Sequence, residues 1–70
     1  MTLQQLVYFK TIAQEGSFTR AAKILCITQP NLSHAVRLLE EELGISLFTR
    51  QGRSVTLTHF GELYLEYVTR

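Results

Sequence analysis

The 70-residue sequence has no tryptophan, one cysteine, one proline and one methionine. A lone cysteine, Cys26, closes no internal disulfide, which argues against a stapled secreted scaffold. No uninterrupted apolar run approaches the roughly 20 residues needed to cross a bilayer. Gln4 and Gln5 break the first apolar segment, and no basic stretch precedes it, so a secretory signal is not expected either. These absences lead us to expect a soluble cytoplasmic protein with no membrane association. Charge of either sign is also scarce: seven Lys and Arg against six Asp and Glu leave a formal net charge of +1, far from the bulk basicity of a general nucleic-acid binder. The only soft metal ligands are Cys26, His34 and His59, and no two stand at a metal-site spacing such as C-x-x-C or H-x-x-x-H. No metal and no cofactor are expected. Nor is there a nucleophile-base-acid arrangement or a glycine-rich loop after a strand, so no catalytic residues are assigned and an enzyme is not expected.

What is present is a 46% apolar composition, too high for a disordered chain. Seventy residues allow one small domain whose core is marginal without help from a partner. The rest of the chain is organised around Ser17 to Gly44. Phe18, Ala21, Ala22 and Leu25 fall at i, i+3, i+4 and i+7, one stripe of an amphipathic helix too short to stand alone. After Cys26 and Ile27 the stripe restarts in a new phase at Leu32, Ala35, Val36, Leu39 and Leu43, which implies a second helix. Thr28 suits its N-cap, Pro30 its first turn and Gly44 its C-terminal cap. The small Ala21 and Ala22 permit close helix crossing, and with the short turn they make a helix-turn-helix unit.

Opposite the second apolar stripe lie Gln29, Ser33 and Arg37, four residues apart, with Pro30 and His34 beside them. Amide, hydroxyl, imidazole and guanidinium groups on one exposed face are the inventory for reading base edges and phosphates, Gln suiting adenine and Arg guanine. The charge distribution agrees with this. Ser17 to Leu39 carries Arg20, Lys23 and Arg37 and no carboxylate, while Glu40, Glu41 and Glu42 gather at the far end of the helix in what reads as a solvated charge run. A helix entering DNA by its N-terminal half holds those carboxylates away from phosphates.

Before this unit, residues from about Thr2 to Gln14 read as a first helix. Leu3, Leu6, Val7, Phe9, Ile12 and Ala13 recur at helical spacing, Thr2 is its cap and Gly16 its end. Phe18, Ile24 and Leu25 are expected to pack on it, completing a three-helix cluster with Phe9, Phe18 and Phe48 in its core. After Gly44, β-branched and aromatic residues flank Gln51-Gly52-Arg53, which predicts a short hairpin with strands Leu47 to Arg50 and Val55 to Leu57. Beside a helix-turn-helix such a ribbon is a wing. Arg50 is expected at a phosphate, and Arg53, near the tip, at the backbone or the adjacent minor groove, where narrow grooves attract arginine. Thr58 caps a final helix, and Gly61 in its first turn suggests close packing. Leu63, Tyr64, Tyr67 and Val68 form an apolar strip there, larger than docking on so small a core requires, and we expect it to carry dimerisation. The chain reaches Arg70 without a cap or breaker, so this helix is expected to continue in a longer protein. Cys26 falls at the interhelical turn, where a small and mostly buried residue is expected.

Five pieces, in order and at these spacings, carry a resemblance: A-A at Ala21, T-Q-P-x-L-S from Thr28, R-x-L-E-E-E-L-G from Arg37, L-F-x-R from Leu47 and L-T-x-x-G from Leu57. Over nearly its whole length the chain resembles the N-terminal domain of LysR-type transcriptional regulators. The resemblance implies a mainly α winged helix-turn-helix, with residues 1–57 as the DNA-binding domain and 58–70 as the start of a linker helix. It also implies that the partners are double-stranded DNA and a second copy in a homodimer or higher homo-oligomer. A small-molecule effector would bind only through a further C-terminal domain of periplasmic-binding-protein type. Thr28, Gln29, Pro30 and Asn31 would then lie nearest the DNA, Ser33, His34 and Arg37 along the groove, and Arg50 and Arg53 on flanking DNA. Two positions depart from the family's habit, which often has a small residue at Asn31 and arginine at His34. Asn31 adds an amide suited to adenine, whereas His34 reaches less far than arginine and is fully charged only when protonated. Two other readings stay open from residues alone: a winged-helix module binding an acidic protein partner, and a thiol-based redox sensor acting through Cys26.

Overall fold

Local signals place every helix start. In the computed structural model, which describes residues 2–69, Thr2 opens α1 (Leu3–Glu15) with a reciprocal capping box: Gln5 N–H donates to its hydroxyl and Thr2 N–H to the Gln5 side chain. Ser17 caps α2 (Phe18–Leu25) and Thr28 caps α3 (Gln29–Leu43), with Pro30 in the first turn. Thr58 caps α4 (His59–Val68) by accepting from Gly61 N–H at 3.0 Å. The expected continuation past Arg70 lies outside the described residues.

Both helices of the central unit end in the same way. Cys26 and Gly44 take left-handed conformations, and the N–H groups of Ile27 and Ile45 reach back to the carbonyls of Ala22 and Glu40 at 3.0 and 3.2 Å. Each isoleucine then folds onto the core. Cys26 is therefore exposed, contrary to the expected burial, because the left-handed turn sends its neighbour inward in its place.

The core has two halves. One gathers Ile12, Phe18, Ala21, Ala22, Leu32 and Val36 where the three helices cross, with Tyr8 and Leu25 at its edge. The other gathers Phe9, Leu39 and Leu47, closed by Tyr64, Leu65 and Val68 of α4. Phe48 joins them, its ring 5.3 Å from Phe9 and 5.8 Å from Phe18 between centroids. Leu3, Val7 and Ile24 depart from the expected packing and are exposed. The reason is phase: Ile24 follows the buried Ala22 by two residues and Val7 precedes the buried Phe9 by two, which at ~100° per residue puts each on the far side of its helix.

The hairpin pairs β1 (Phe48–Gln51) with β2 (Ser54–Leu57) in antiparallel register, Phe48 opposite Leu57 and Gln51 opposite Ser54. Leu47 is not a strand residue as expected but a fully buried one just before the strand. The loop is two residues, Gly52 and Arg53, and glycine at the first of them takes φ 61°, as a turn matched to strand twist requires. Gly61 packs closely, as its sequence position suggested: a Cβ there would come within 2.1 Å of the Leu47 carbonyl oxygen. That contact seats α4 on the entrance to the hairpin. Burial, then the charge of Glu42 and the proximity of Tyr67, hold the Tyr64 phenol above its ordinary value of 10.0.

Candidate nucleic-acid interface

Leu32, Val36 and Leu39 turn one side of α3 into the core, so the residues half a turn away are presented outward. Pro30, Asn31, His34 and Arg37 are exposed there, and Gln29 and Ser33 are half-buried between them and the wing. Thr28 caps the helix at the same end, its hydroxyl accepting from Asn31 N–H at 3.3 Å. The face expected from spacing is thus a continuous surface. The N-terminus of α3 also stands at this end, where the helix dipole favours anions.

The wing lies alongside. Arg50 on β1 reaches across to α3: its Nη2 donates to Ser33 Oγ at 2.9 Å, and its guanidinium lies 4.1 Å from the centre of the Phe18 ring. Ser33 Oγ also accepts from Gln29 Nε2 at 2.8 Å. Arg53, at the tip, makes no hydrogen bond or ion pair among the described residues. Between the start of α2, the start of α3 and the wing runs an open cleft bordered by Ser17, Arg20, Gln29, Arg50 and Arg53. Three cations on its rim and no carboxylate among its lining give it a basic character that the net charge of +1 conceals.

Sequence reasoning did not single out Arg20, although it lies in this cleft, because its role depends on how α2 meets the wing. It is held by its own neighbourhood, Nη2 donating to the Glu15 carbonyl at 2.8 Å. A second surprise is Glu40. Rather than belonging to a solvated charge run, its carboxylate accepts from the N–H groups of Leu47 and Phe48 at 2.6 and 3.3 Å. The first residues of the wing would otherwise leave those donors without a partner, and the carboxylate fixes the hairpin to α3. Glu41 and Glu42 are exposed.

The four residues expected to form one dimerisation strip divide. Tyr64 and Val68 pack on the Phe9 cluster, Tyr64 edge-on to Phe9 with centroids 5.0 Å apart. Leu63 and Tyr67 stay 50% and 70% exposed, and Phe60, which the sequence reading left out, joins them at 54%. Phe60, Leu63 and Tyr67 stand at i, i+3 and i+7, so the outward strip is continuous. Among the described residues no cluster of three or more metal-binding side chains occurs, and no helix is long and apolar enough to cross a membrane.

A three-helix cluster whose third helix, α3, exposes a polar face, with a hairpin beside it, defines a winged helix-turn-helix domain. Residues 3–62 match the model of the bacterial regulatory helix-turn-helix proteins of the lysR family, and the chain belongs to that family. A probable RuBisCO transcriptional regulator from Trieres chinensis is 52% identical over 69 residues, which are 99% of this chain and 22% of that protein. Among solved structures, the BenM DNA-binding domain in complex with benA site 1 DNA superposes with a TM-score of 0.93 at 46% identity, covering 99% of this chain and 78% of that one. The CbnR DNA-binding domain bound to DNA gives 0.94 at 37% identity, covering 100% and 80%. The chain spans about a fifth of the length of several of the curated relatives it matches, 22% of the Trieres chinensis and Thalassiosira pseudonana regulators.

Proposed function

We infer that this domain binds duplex DNA sequence-specifically, with α3 in the major groove and the wing on the flanking backbone. The observation that carries the reading is the continuity of the polar α3 face with the basic cleft under the wing, while Glu41 and Glu42 stand at the opposite end of the helix. Thr28, Gln29, Pro30, Asn31, Ser33, His34 and Arg37 supply the groove-facing chemistry. Arg53 supplies an unpaired cation for phosphate or minor groove. Two copies bind together, paired through α4 by Leu63 and Tyr67 with Phe60 beside them, while Tyr64 and Val68 stiffen the helix from below. Two half-sites spaced by about one helical turn or a multiple of it are the target such a pair fits. That the BenM and CbnR domains are bound to DNA in their complexes supports this reading.

For the protein as a whole we propose transcriptional regulation in the cytoplasm, with a small-molecule effector acting through a domain that this chain does not include. The reading is tested by titrating the chain with duplex DNA at a series of salt concentrations. Affinity falls steeply with salt, the log-log slope gaining about 0.9 in magnitude for each phosphate neutralised. Association independent of salt rejects the docking.

A further inference from the structure

Arg50 and Arg53 stand three residues apart on one hairpin, yet their environments differ in kind. Arg53 is free at the tip. Arg50 holds its guanidinium carbon over the Phe18 ring, 4.1 Å from the ring centre, and gives an N–H to Ser33 at 2.9 Å. Phe18 is itself buried and braced edge-on by Phe48, the residue two before Arg50 on the same strand. The guanidinium therefore spans three elements: it leaves β1, rests on α2 and ends on α3.

The hydroxyl it reaches is already engaged. Ser33 Oγ has two lone pairs, one facing Gln29 Nε2 at 2.8 Å and the other facing Arg50. With both acceptor positions filled, Ser33 retains one hydrogen-bonding capacity, its O–H donor. Gln29 in turn keeps its carbonyl and one N–H, the pair that matches adenine N6 and N7. Arg50 thereby fixes what the two groove residues have left to offer.

We propose that Arg50 is a positioning residue for base readout rather than a phosphate anchor. It locks the wing to α3 and holds Ser33 as a donor toward a base or phosphate acceptor, and Gln29 as a preset amide. Only a planar, multiply donating cation stacks on a ring and bonds in its own plane at once, so lysine, with the same charge, cannot replace it. This role rests on the DNA-binding reading, and the account of Arg50 in the free protein does not.

The test has one arm without DNA and one with it. In the free chain, NMR resonances of the Arg50 side chain show an upfield ring-current shift from Phe18. The Gln29 side-chain amide signals move in Arg50→Lys and Ser33→Ala. No ring-current shift, or unmoved Gln29 amides, overturns the lock whatever DNA does. In the second arm the chain is titrated, across a salt series, with a duplex it has itself selected from a random pool and with a shuffled duplex. Arg50→Ala and Arg50→Lys both lower the ratio of selected to shuffled affinity by roughly ten-fold or more, the scale of one good base pairing, and leave the salt slope near that of the parent. Arg53→Ala is the phosphate control and reduces the slope by about 0.9 for each phosphate it no longer neutralises. Rescue by Arg50→Lys, or a slope reduced by Arg50→Ala as by Arg53→Ala, overturns the proposal and makes Arg50 a phosphate ligand. A parent chain that selects no duplex overturns the DNA-binding reading and this role together, while the free-chain spectra still report whether the lock exists. Circular dichroism melts confirm that each variant is folded.

Discussion

Cys26 is the one non-glycine residue with positive φ among the described residues, at 59°. An L-residue in this conformation carries a strain of roughly 1–2 kcal/mol, which asparagine relieves by local hydrogen bonding and a β-branched residue makes worse. Cys26 thus matters first as a turn residue. We predict that Cys26→Asn raises stability in urea melts, by up to about 1–2 kcal/mol, while Cys26→Val lowers it; equal midpoints for the two variants would contradict the strained turn. Residue by residue, the outer face of α3 is legible in the sequence because helical spacing alone decides which side chains share a side. The meeting of Arg50 with Ser33, 17 residues apart, and of Glu40 with the N–H groups of Leu47 and Phe48 is not, since each depends on how the hairpin folds back. Glu40 shows the difficulty well: three successive glutamates look alike in sequence, and only the second half of the core reveals that one of them faces the hairpin's unpaired N–H groups.

At the scale of elements, caps and punctuation carry most of the prediction. Thr2, Ser17, Thr28 and Thr58 each start the helix expected of them, and Gly16 and Gly44 end theirs. Phase within short helices is harder to read. Eight residues of α2 hold only two turns, so composition draws Ile24 to the packed side although it stands opposite Ala22. In α4 the sequence pattern groups the apolar residues into one strip, yet Tyr64, Leu65 and Val68 close the core and Phe60, Leu63 and Tyr67 face out. The hinge of that division is Gly61. Its backbone lies so near Leu47 that a methyl group would collide with a carbonyl oxygen rather than with a yielding side chain. Gly61→Ala should therefore destabilise the domain despite alanine's better helix propensity, by roughly the 1–3 kcal/mol typical of overpacking. A melting midpoint raised by this substitution would show that α4 does not seat on the hairpin as described.

For the whole molecule, a near-neutral chain places three of its seven cations in one cleft and two exposed carboxylates at the opposite end of α3. Composition hides such segregation, and only the path of the chain reveals it. The same path leaves the outward apolar strip of α4 uncovered, and a twofold copy pairing there would set the distance between the two copies of α3. Replacing Leu63 and Tyr67 together with serine should leave the monomer folded, because both side chains are at least half exposed. Sedimentation should then show loss of the dimer, and titration a loss of tight binding to a two-half-site duplex with little change on a single half-site. A double variant that still dimerises, or that loses both duplexes equally, puts the interface elsewhere.

The division of labour between α3 and the wing is the centre of the account, and matched titrations of Gln29→Ala and Arg53→Ala on selected and shuffled duplexes test it most directly. Gln29→Ala is predicted to relax preference at one base position by about 1–3 kcal/mol, leaving binding to shuffled DNA nearly unchanged. Arg53→Ala is predicted to weaken both duplexes alike and to flatten the salt dependence. The reverse pattern, with Arg53 governing base preference and Gln29 only overall affinity, would contradict the account and assign the reading of sequence to the wing.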